Sequence, residues 1–377
     1  MIPLSVPNLS GKEWEYIKEC LDTNWVSSVG SFVDRFESEF AEHVGSKHAI
    51  SVVNGTSALH ISLQLSGVQQ HDYVIVPNIT FIASLNSIKY CGAKPILVDI
   101  DPNTWQMDLV LLRKFLEEKT HQKSGNCYLK SDNKKVTAVM PVHVLGNLCN
   151  MNKLMQIAKE FSLKVIEDST ESLGSYFENQ HSGTFGGFGC FSFNGNKIMT
   201  TGGGGMIVTN DADLAQKAKH ITTQAKSDKF EYIHDEIGYN YRLVNVLAAM
   251  GVAQLEQVPD FIKAKQKIAK KYKAGLQNID GISFQTVESG VIANNWLFTI
   301  SSSKQKELIE HLLNSDIQVR PLWKPMNQLE MFVNDLYVTE KDISNKIYAN
   351  CISLPCSTNL GGQEQDFVIK KIKEFYS

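Results

Sequence analysis

One lysine stands shortly before a run of glycines, in the segment SFNGNKIMTTGGGGMIVTN that covers residues 192–210. Lys197 is either a solvated surface charge or a buried amine whose lowered pKa makes it a nucleophile towards carbonyls. Surface exposure is the commoner state of a lysine in a loop. The glycines favour the second interpretation, because such a run lets the backbone turn sharply or pass close to another group.

An acidic pair, Glu167 and Asp168, ends the apolar run in LKVIEDSTESLG. Ligands of open α/β sheets bind beyond the carboxyl ends of the strands, so an acid at this position is a candidate binding group. A carboxylate buried there needs a cationic or hydrogen-bonding partner. The alternative role for Asp168 is that of an N-cap for a following helix.

A third group of polar residues, Gly55, Thr56 and Ser57, follows the apolar run HAISVV and opens a helical pattern. The backbone N–H groups at the beginning of a helix form an anion site, to which a hydroxyl adds a donor. Simple capping of the helix explains these residue types equally well.

An anion site, a carboxylate and a lysine are together what pyridoxal phosphate requires: for its phosphate, its pyridine nitrogen and its aldehyde. Phe81, four residues after the run YVIVP, offers an aromatic ring to the cofactor, with core packing as the commoner alternative. The sequence has neither the dinucleotide G-x-G-x-x-G after a strand nor a P-loop, and it lacks G-x-S-x-G and H-E-x-x-H. The combination therefore predicts a pyridoxal phosphate site rather than a nucleotide or metal site.

The elements that must position these residues alternate between short apolar runs and helical patterns from about residue 48 to 220. Strands that are apolar throughout are typical of a sheet covered on both faces, so we predict an α/β fold with a mostly parallel mixed sheet. From about residue 245 a long helical connection leads into a smaller α/β unit. We predict a large domain at 1–250, a small domain at 251–377, and a surface loop or β-ribbon at KTHQKSGNCYLKSDNKK.

The composition excludes several classes of protein. The 377 residues carry a formal net charge of -3 and no basic patch, which argues against a nucleic-acid partner. The lysines of KAKQKIAKKYKAG are expected on a solvated helix face. No apolar segment approaches a membrane span, the N-terminus lacks signal-peptide features, and the seven cysteines are scattered without a metal pattern. We expect a cytoplasmic protein with free thiols.

Several motifs follow one another in an order that resembles the DegT/DnrJ-type sugar aminotransferases, pyridoxal phosphate enzymes of fold type I. They are NGTSAL, PNITFIASLNSI, PILVDID, VIEDSTESLGS, GCFSFNGNKIMTTGGGG and IGYNYRLVNVLAAMGVAQL, preceded by the similar opening WVSSVGSFVDRFESEFAEHVG. The segments EDSTESLGS and SFNGNKI resemble those of enzymes that aminate UDP-4-keto-6-deoxy-N-acetylhexosamines on routes to bacillosamine and legionaminic acid.

The resemblance implies roles for the residues around the cofactor. Lys197 corresponds to the Schiff-base lysine, Asp168 to the carboxylate at the pyridine nitrogen, and Phe81 to the stacking ring. Glu171 stands near the cofactor ring, where many relatives carry glutamine or histidine. Asn194 replaces a histidine that many members carry near the lysine.

The resemblance also implies contacts to the phosphate, the sugar and a second subunit. Gly55, Thr56 and Ser192 correspond to phosphate contacts. Asn240 corresponds to a residue that reaches the partner subunit's phosphate, which implies a homodimer with shared active sites. Sugar recognition is assigned to four residues, with an ordinary surface arginine as the alternative for the last: Ser28, Asn194, Arg242 and Arg320.

The implied reaction moves an amino group from L-glutamate, leaving 2-oxoglutarate, to C4 of the UDP-linked keto-sugar. The product, a UDP-2-acetamido-4-amino-2,4,6-trideoxyhexose, would serve bacterial surface glycans such as the O-antigen of lipopolysaccharide. Relatives with histidine at the lysine position dehydrate instead, so Lys197 favours transamination. The alternatives are a GDP- or dTDP-linked keto-sugar, a regulatory protein that binds cofactor or sugar without catalysis, and a sheet protein without a cofactor.

Overall fold

A ten-stranded mixed sheet forms the centre of the molecule in the computed structural model, which describes residues 1–228 and 230–377. Over these residues the strands are, in chain order, β1 His48–Val52, β2 Tyr73–Pro77, β3 Lys94–Val98, β4 Thr120–Lys123, β5 Asn126–Leu129, β6 Lys135–Val139, β7 Lys164–Asp168, β8 Tyr176–Phe177, β9 Gln180–His181, β10 Phe188–Ser192, β11 Gly205–Thr209, β12 Ile282–Phe284, β13 Val291–Ile292, β14 Phe298–Ser302, β15 Arg320–Pro321, β16 Leu336–Val338 and β17 Cys351–Leu354.

The helices of the same residues connect and cover these strands. In chain order they are α1 Glu13–Asp22, α2 Ser31–Val44, α3 Gly55–Leu65, α4 Ala83–Tyr90, α5 Leu109–Lys119, α6 Met151–Glu160, α7 Ala212–Thr222, α8 Asn245–Leu255, α9 Val258–Leu276, α10 Gln305–Leu313, α11 Ile343–Asn350 and α12 Gly362–Tyr376. Short 3₁₀ turns lie at Val144–Gly146, Met326–Gln328 and Glu330–Phe332.

The strand order of the large sheet is β1-β11-β10-β7-β6-β2-β3-β16, with the ribbon of β4 and β5 attached beside β6. All neighbours from β10 to β16 are parallel, whereas β11 runs antiparallel to both β1 and β10. The prediction of a mostly parallel mixed sheet is therefore confirmed. Because β1 shares the direction of β10, the carboxyl ends of β1, β2, β6, β7 and β10 meet at one edge.

Apolar clusters on both faces hold the sheet between its helices, as the continuously apolar strands predict. On one face α3 contributes Leu59 and Leu63, which are fully buried against strand residues such as Ile207. On the other face Leu112 of α5 and Leu154 of α6 pack in a second cluster. Because both faces of the sheet are buried, each strand ends at a defined position at the sheet edge. The polar residues that follow the strands are therefore positioned at that edge.

The C-terminal part folds around an antiparallel sheet of order β12-β14-β17-β15. Helices α9, α10 and α12 pack against it through Tyr272, Leu308 and Ile369. Several links join this part to the rest: β16 extends the large sheet beside β3, β13 pairs with β8, and Ile2 forms a bridge with Ile317. The division at residue 250 stays a prediction.

Two sequence expectations have different outcomes at the surface. The polar insertion forms a β-ribbon, β4 paired with β5. The expectation that all lysines of KAKQKIAKKYKAG are solvated is wrong for Lys265, which is buried and donates to the carbonyls of Trp296 and Cys356. Helical spacing alone does not reveal that the C-terminal sheet covers this face of α9.

Two further findings concern the described part of the chain as a whole. None of its helices combines the length and apolarity that crossing a membrane requires. Its seven cysteines are all free thiols.

Candidate active site

A cavity of about 220 Å³ opens at the carboxyl edge of the large sheet. The segments after β1, β2, β7 and β10 line it, together with Trp296 and Trp323 from the C-terminal part. This is the position that the sheet topology predicts for a ligand, because the loops that follow parallel strands converge there.

Lys197 extends into this cavity from the loop between β10 and β11, and its side chain is only 13% exposed. Its Nζ lies 3.8 Å from Glu171 Oε1 and 3.9 Å from the centroid of the Trp296 ring. Burial lowers the pKa of Lys197, while the charges of Glu171 and Asp168 act in the opposite direction. The amine is therefore not a solvated surface charge, and its neutral form is favoured relative to a free lysine.

Asp168 ends β7 with its carboxylate buried in the cavity wall. Ser84 Oγ donates to Oδ2 at 2.6 Å, and the Thr170 hydroxyl donates to Oδ1 at 2.7 Å. The residues between β7 and β8 form no helix, so the N-cap alternative does not apply. Its hydroxyl partners fix the carboxylate in one orientation at the edge where ligands bind.

The first turn of α3 presents free backbone donors to the same cavity. Asn54 caps the helix by accepting the N–H of Ser57 at 2.8 Å, so the capping residue is neither Thr56 nor Ser57. The N–H groups of Gly55 and Thr56 are in the first turn, where they have no intrahelical partner. Ser192, at the end of β10, lines the cavity beside them.

Glycines permit the close approach of these segments. A Cβ on Gly55 would lie 2.9 Å from Ser192 Cβ, and one on Gly205 would lie 2.5 Å from the carbonyl carbon of Asn54. Gly203 and Gly204 line the cavity itself. The glycine run after Lys197 thus lets β11 begin directly against the turn that opens α3.

The arrangement fits pyridoxal phosphate by the chemistry of its groups. Helix N–H groups with the hydroxyls of Thr56 and Ser192 suit a phosphate, a fixed carboxylate suits a protonated pyridine nitrogen, and a buried amine suits an aldehyde. Phe81 is 53% exposed on the cavity wall, so core packing does not account for it. Glu171 and Asn194 also line the cavity.

Four residues assigned from the sequence lie outside the cavity lining: Ser28, Asn240, Arg242 and Arg320. The guanidinium of Arg242 is buried, 2.7 Å from Glu37 Oε1, and donates to the carbonyl of Ser51. Asn240 and Arg320 are exposed, and Arg320 belongs to β15 of the C-terminal sheet. The structure does not bring these four side chains to Lys197 within one chain.

Sequence reasoning missed the aromatic wall of the cavity. Trp296 and Trp323 are stacked, with ring centroids 6.2 Å apart and planes inclined by 11°. The indole N–H of Trp296 donates to the carbonyl of Asn196 at 2.6 Å, next to Lys197 in the chain. Neither tryptophan belongs to a spacing pattern with Lys197, so the sequence does not show that the two rings meet beside that amine. Ser84 was missed for the same reason.

Comparisons with known proteins agree with this geometry. Residues 7–373 match the sequence profile of the DegT/DnrJ/EryC1/StrS aminotransferase family. The chain is 39% identical to a GDP-perosamine synthase of Escherichia coli O157:H7, over 100% of this chain and 99% of that protein. It is 35% identical to a GDP-perosamine synthase of Caulobacter vibrioides, over 99% of this chain and 98% of that protein. A crystal structure of a DegT DnrJ EryC1 StrS aminotransferase from Brucella abortus superposes with a TM-score of 0.90, at 26% identity, covering 97% of this chain and 95% of that one.

Proposed function

Because the chain belongs to the DegT/DnrJ/EryC1/StrS aminotransferase family, and is thus a pyridoxal-phosphate-dependent sugar aminotransferase, we propose that it aminates a GDP-linked keto-sugar to GDP-perosamine. L-glutamate is the proposed amino donor, with 2-oxoglutarate as the second product. The observation that carries the proposal is the buried amine of Lys197 in one cavity with the Asp168 carboxylate and the beginning of α3.

The choice of nucleotide rests on the relatives. Both curated relatives described above are GDP-perosamine synthases, and their similarity extends over nearly the whole chain. This similarity favours the GDP-linked alternative over the UDP-linked N-acetylhexosamine and the bacillosamine-type subgroup that the segments EDSTESLGS and SFNGNKI indicated. The amino group would enter at C4, as the sequence resemblance implies.

Different residues of the cavity would bind different groups of the cofactor. The N–H groups of Gly55 and Thr56 with the Ser192 hydroxyl would hold the phosphate, and Phe81 would cover the ring. Asp168, fixed by Ser84 and Thr170, would keep the pyridine nitrogen protonated. When bound, pyridoxal phosphate supplies an aldehyde that joins amines and an electron sink for the substrate carbanion.

Lys197 has two tasks in this proposal. Its Nζ would hold the cofactor aldehyde, and the free amine would move a proton as a general base and acid. Capture of the aldehyde and proton abstraction require the neutral amine, which burial favours, whereas proton donation requires the ammonium form. Trp296 lies against Nζ on one side and excludes water from it.

The stacked pair Trp296 and Trp323 is the proposed wall against which the sugar nucleotide lies. Aromatic faces bind flat bases and the apolar faces of pyranose rings, and large buried rings often dominate the energy of an interface. Asn194 and Asn196 place polar side chains on the same cavity, where they could bind sugar hydroxyls. Sugar recognition would thus come from both the large and the C-terminal parts of the chain.

A homodimer with shared sites remains part of the proposal. Asn240 is exposed, and the segment before it exposes large apolar side chains, with Phe230 91% and Ile237 83% accessible. Trp14 on α1 is also mostly exposed. Apolar groups exposed in this way commonly mark a protein interface. Light scattering of the purified protein would test the dimer, and a monomer at working concentration would contradict it.

The deciding experiment is a panel of GDP-, UDP- and dTDP-linked 4-keto-6-deoxy sugars, with L-glutamate as donor. We expect the highest kcat/KM with the GDP-linked sugar, and an amine at C4 in the product spectrum recorded by NMR. A UDP-linked N-acetylhexosamine as the best substrate would contradict the proposal. Lys197→Ala protein in parallel reactions controls for chemistry that does not depend on the cavity.

A further inference from the structure

Glu171 is held more firmly than an acid that merely lines a cavity. Its Oε2 accepts the backbone N–H of Leu145 at 2.8 Å, and its side chain is 2% exposed. Leu145 adopts the left-handed backbone conformation, with φ 61° and ψ 16°, which is unfavourable for a residue with a branched side chain. Strain of this kind persists only where the surroundings enforce it, and it is concentrated at functional sites.

The C-terminal part of the chain fixes the backbone of Glu171 from the opposite side. Asn294 Nδ2 donates to the carbonyls of Glu171 and Leu173, at 2.8 and 2.9 Å. Gly146, next to Leu145, has φ 83°, and a Cβ there would lie 1.7 Å from Asn294 Oδ1. The turn at Val144–Gly146 therefore holds the carboxyl group of Glu171, and the Asn294 side chain holds its backbone carbonyl.

The free oxygen of Glu171 faces the reactive amine. Oε1 lies 3.8 Å from Lys197 Nζ, within ion-pair range but longer than a hydrogen bond. The charged groups that act on Glu171 are Lys197 and, with opposite effect, Asp168. Two hydroxyl groups donate hydrogen bonds to the Asp168 carboxylate. In the described structure, the Glu171 carboxyl group accepts one backbone N–H and faces Lys197.

We propose that Glu171 exchanges a proton with Lys197 Nζ and so sets the charge of the catalytic amine. In the step, an N–H bond of the ammonium breaks and an O–H bond forms on the Glu171 carboxylate. The ion pair becomes a neutral amine beside a neutral acid, with no other reactant. The inference rests on the proposed role of Lys197 as the cofactor lysine, but not on the identity of the sugar.

The energetics of burial favour this exchange. A buried ion pair keeps a desolvation cost that its neutral form does not carry. Burial raises the pKa of Glu171 to about 7, although Lys197 and the Leu145 N–H act against it, and burial lowers the pKa of Lys197. A group that titrates near the working pH exchanges protons efficiently. The separation of 3.8 Å requires a small approach of the side chains or one bridging water.

The test uses cofactor-free protein and the reaction of Lys197 with added pyridoxal phosphate. Adducts are trapped with borohydride at intervals between about pH 5 and pH 10, a range that spans the ordinary glutamate-to-lysine titrations, and the modified peptide is quantified by mass spectrometry. Glu171→Gln is compared with wild type and with Glu340→Gln, which makes the same change in an exposed pair with Lys114. Lys197→Arg identifies adducts that form elsewhere.

In Glu171→Gln, Lys197 loses the nearer of the two carboxylates that raise its pKa and keeps only the charge of Asp168. We expect its labelling midpoint to move to lower pH by about one unit, a roughly tenfold change in rate below the midpoint, while Glu340→Gln matches wild type. Glu171→Asp, which keeps the charge, should restore most of the wild-type midpoint. Unchanged midpoints in folded Glu171→Gln would overturn the inference. Absence of any adduct at Lys197 in wild type would instead overturn the proposed role of the lysine.

Discussion

Two buried acids follow strands of the same sheet, Asp99 after β3 and Glu171 after β7, and their surroundings differ sharply. Asp99 accepts five hydrogen bonds, two of them from the N–H groups that open α11. Glu171 accepts one N–H and faces an amine at 3.8 Å. Both side chains are nearly inaccessible to water.

The difference shows in the pKa values of the two acids. Burial acts to raise the pKa of Asp99, but the donors Ser344 and Thr339 outweigh it, so its pKa lies below the ordinary value. Burial dominates at Glu171 and raises its pKa to about 7. A buried acid with its donors supplied joins parts of the fold, whereas one left short of donors remains available for proton transfer.

The largest effect is expected when the amine that faces Glu171 is removed. Lys197→Ala should lower the rate of glutamate-dependent amination by about four orders of magnitude or more, because the nucleophile and the proton carrier disappear together. Melting temperature should stay close to that of wild type, since no hydrogen bond of the fold ends at Nζ in the described structure. Substantial remaining turnover would refute the assignment of Lys197.

Asp99→Asn should show the opposite pattern, with a loss of stability and little direct effect on chemistry. The amide turns an acceptor into a donor facing Ser344 or Ile343, which leaves buried donors unpaired and costs about 2–4 kcal/mol of unfolding free energy. Urea unfolding at neutral pH would measure the loss, with the exposed Asp366→Asn as control. Equal stability of the variant and wild type would contradict the structural role of Asp99.

The pH dependence of the Asp99 effect follows from the sign of its pKa shift. A carboxyl group with a depressed pKa in the folded state stabilises the protein above its unfolded pKa, and this contribution is lost as pH falls through the folded pKa. The difference between wild type and Asp99→Asn should therefore be constant near neutrality and shrink only below the ordinary pKa of 3.8.

The sequence was sufficient to predict the sheet and the chemistry at its edge, because both depend on local patterns. Apolar runs define the strands. Residues at or just after the ends of these runs, such as Asp168 and Gly55, therefore lie at the carboxyl edge of the sheet. Lys197 was a candidate because it precedes a glycine run that lets the backbone turn sharply or pass close to another group. Each of these residues lies within a few positions of its signal.

The parts that could not be predicted depend on contacts between distant segments. Trp296 and Asn294 reach the cavity from the C-terminal part, and their neighbours in the chain do not reveal which side chain will face Lys197. Lys265 was expected in solvent because a helix pattern gives the spacing of a face but not what covers it. The donor count that distinguishes Asp99 from Glu171 is likewise a property of the folded chain.

A smaller effect is expected on the stability of Glu171→Gln. The folded-state pKa of Glu171 is raised above 4.5, so its contribution to stability is greatest at low pH and is lost as pH rises towards about 7. Glutamine removes this dependence. Scanning calorimetry should find the variant a few degrees more stable than wild type at about pH 8, with the difference gone near pH 5. A less stable variant across the whole range would mean that Glu171, like Asp99, serves the fold.

The smallest predicted effect separates the aromatic wall from both acids. Trp323→Ala removes the ring stacked on Trp296 without touching Lys197, so KM for the sugar nucleotide should rise about threefold to tenfold while kcat changes little. KM for glutamate should change less, because a small dicarboxylate gains little from an aromatic face. Trp323→Phe keeps a ring and should recover most of the loss. If kcat fell instead, the wall would act on the chemistry of Lys197 through Trp296, and the division between binding wall and proton-exchanging acid would have to be redrawn.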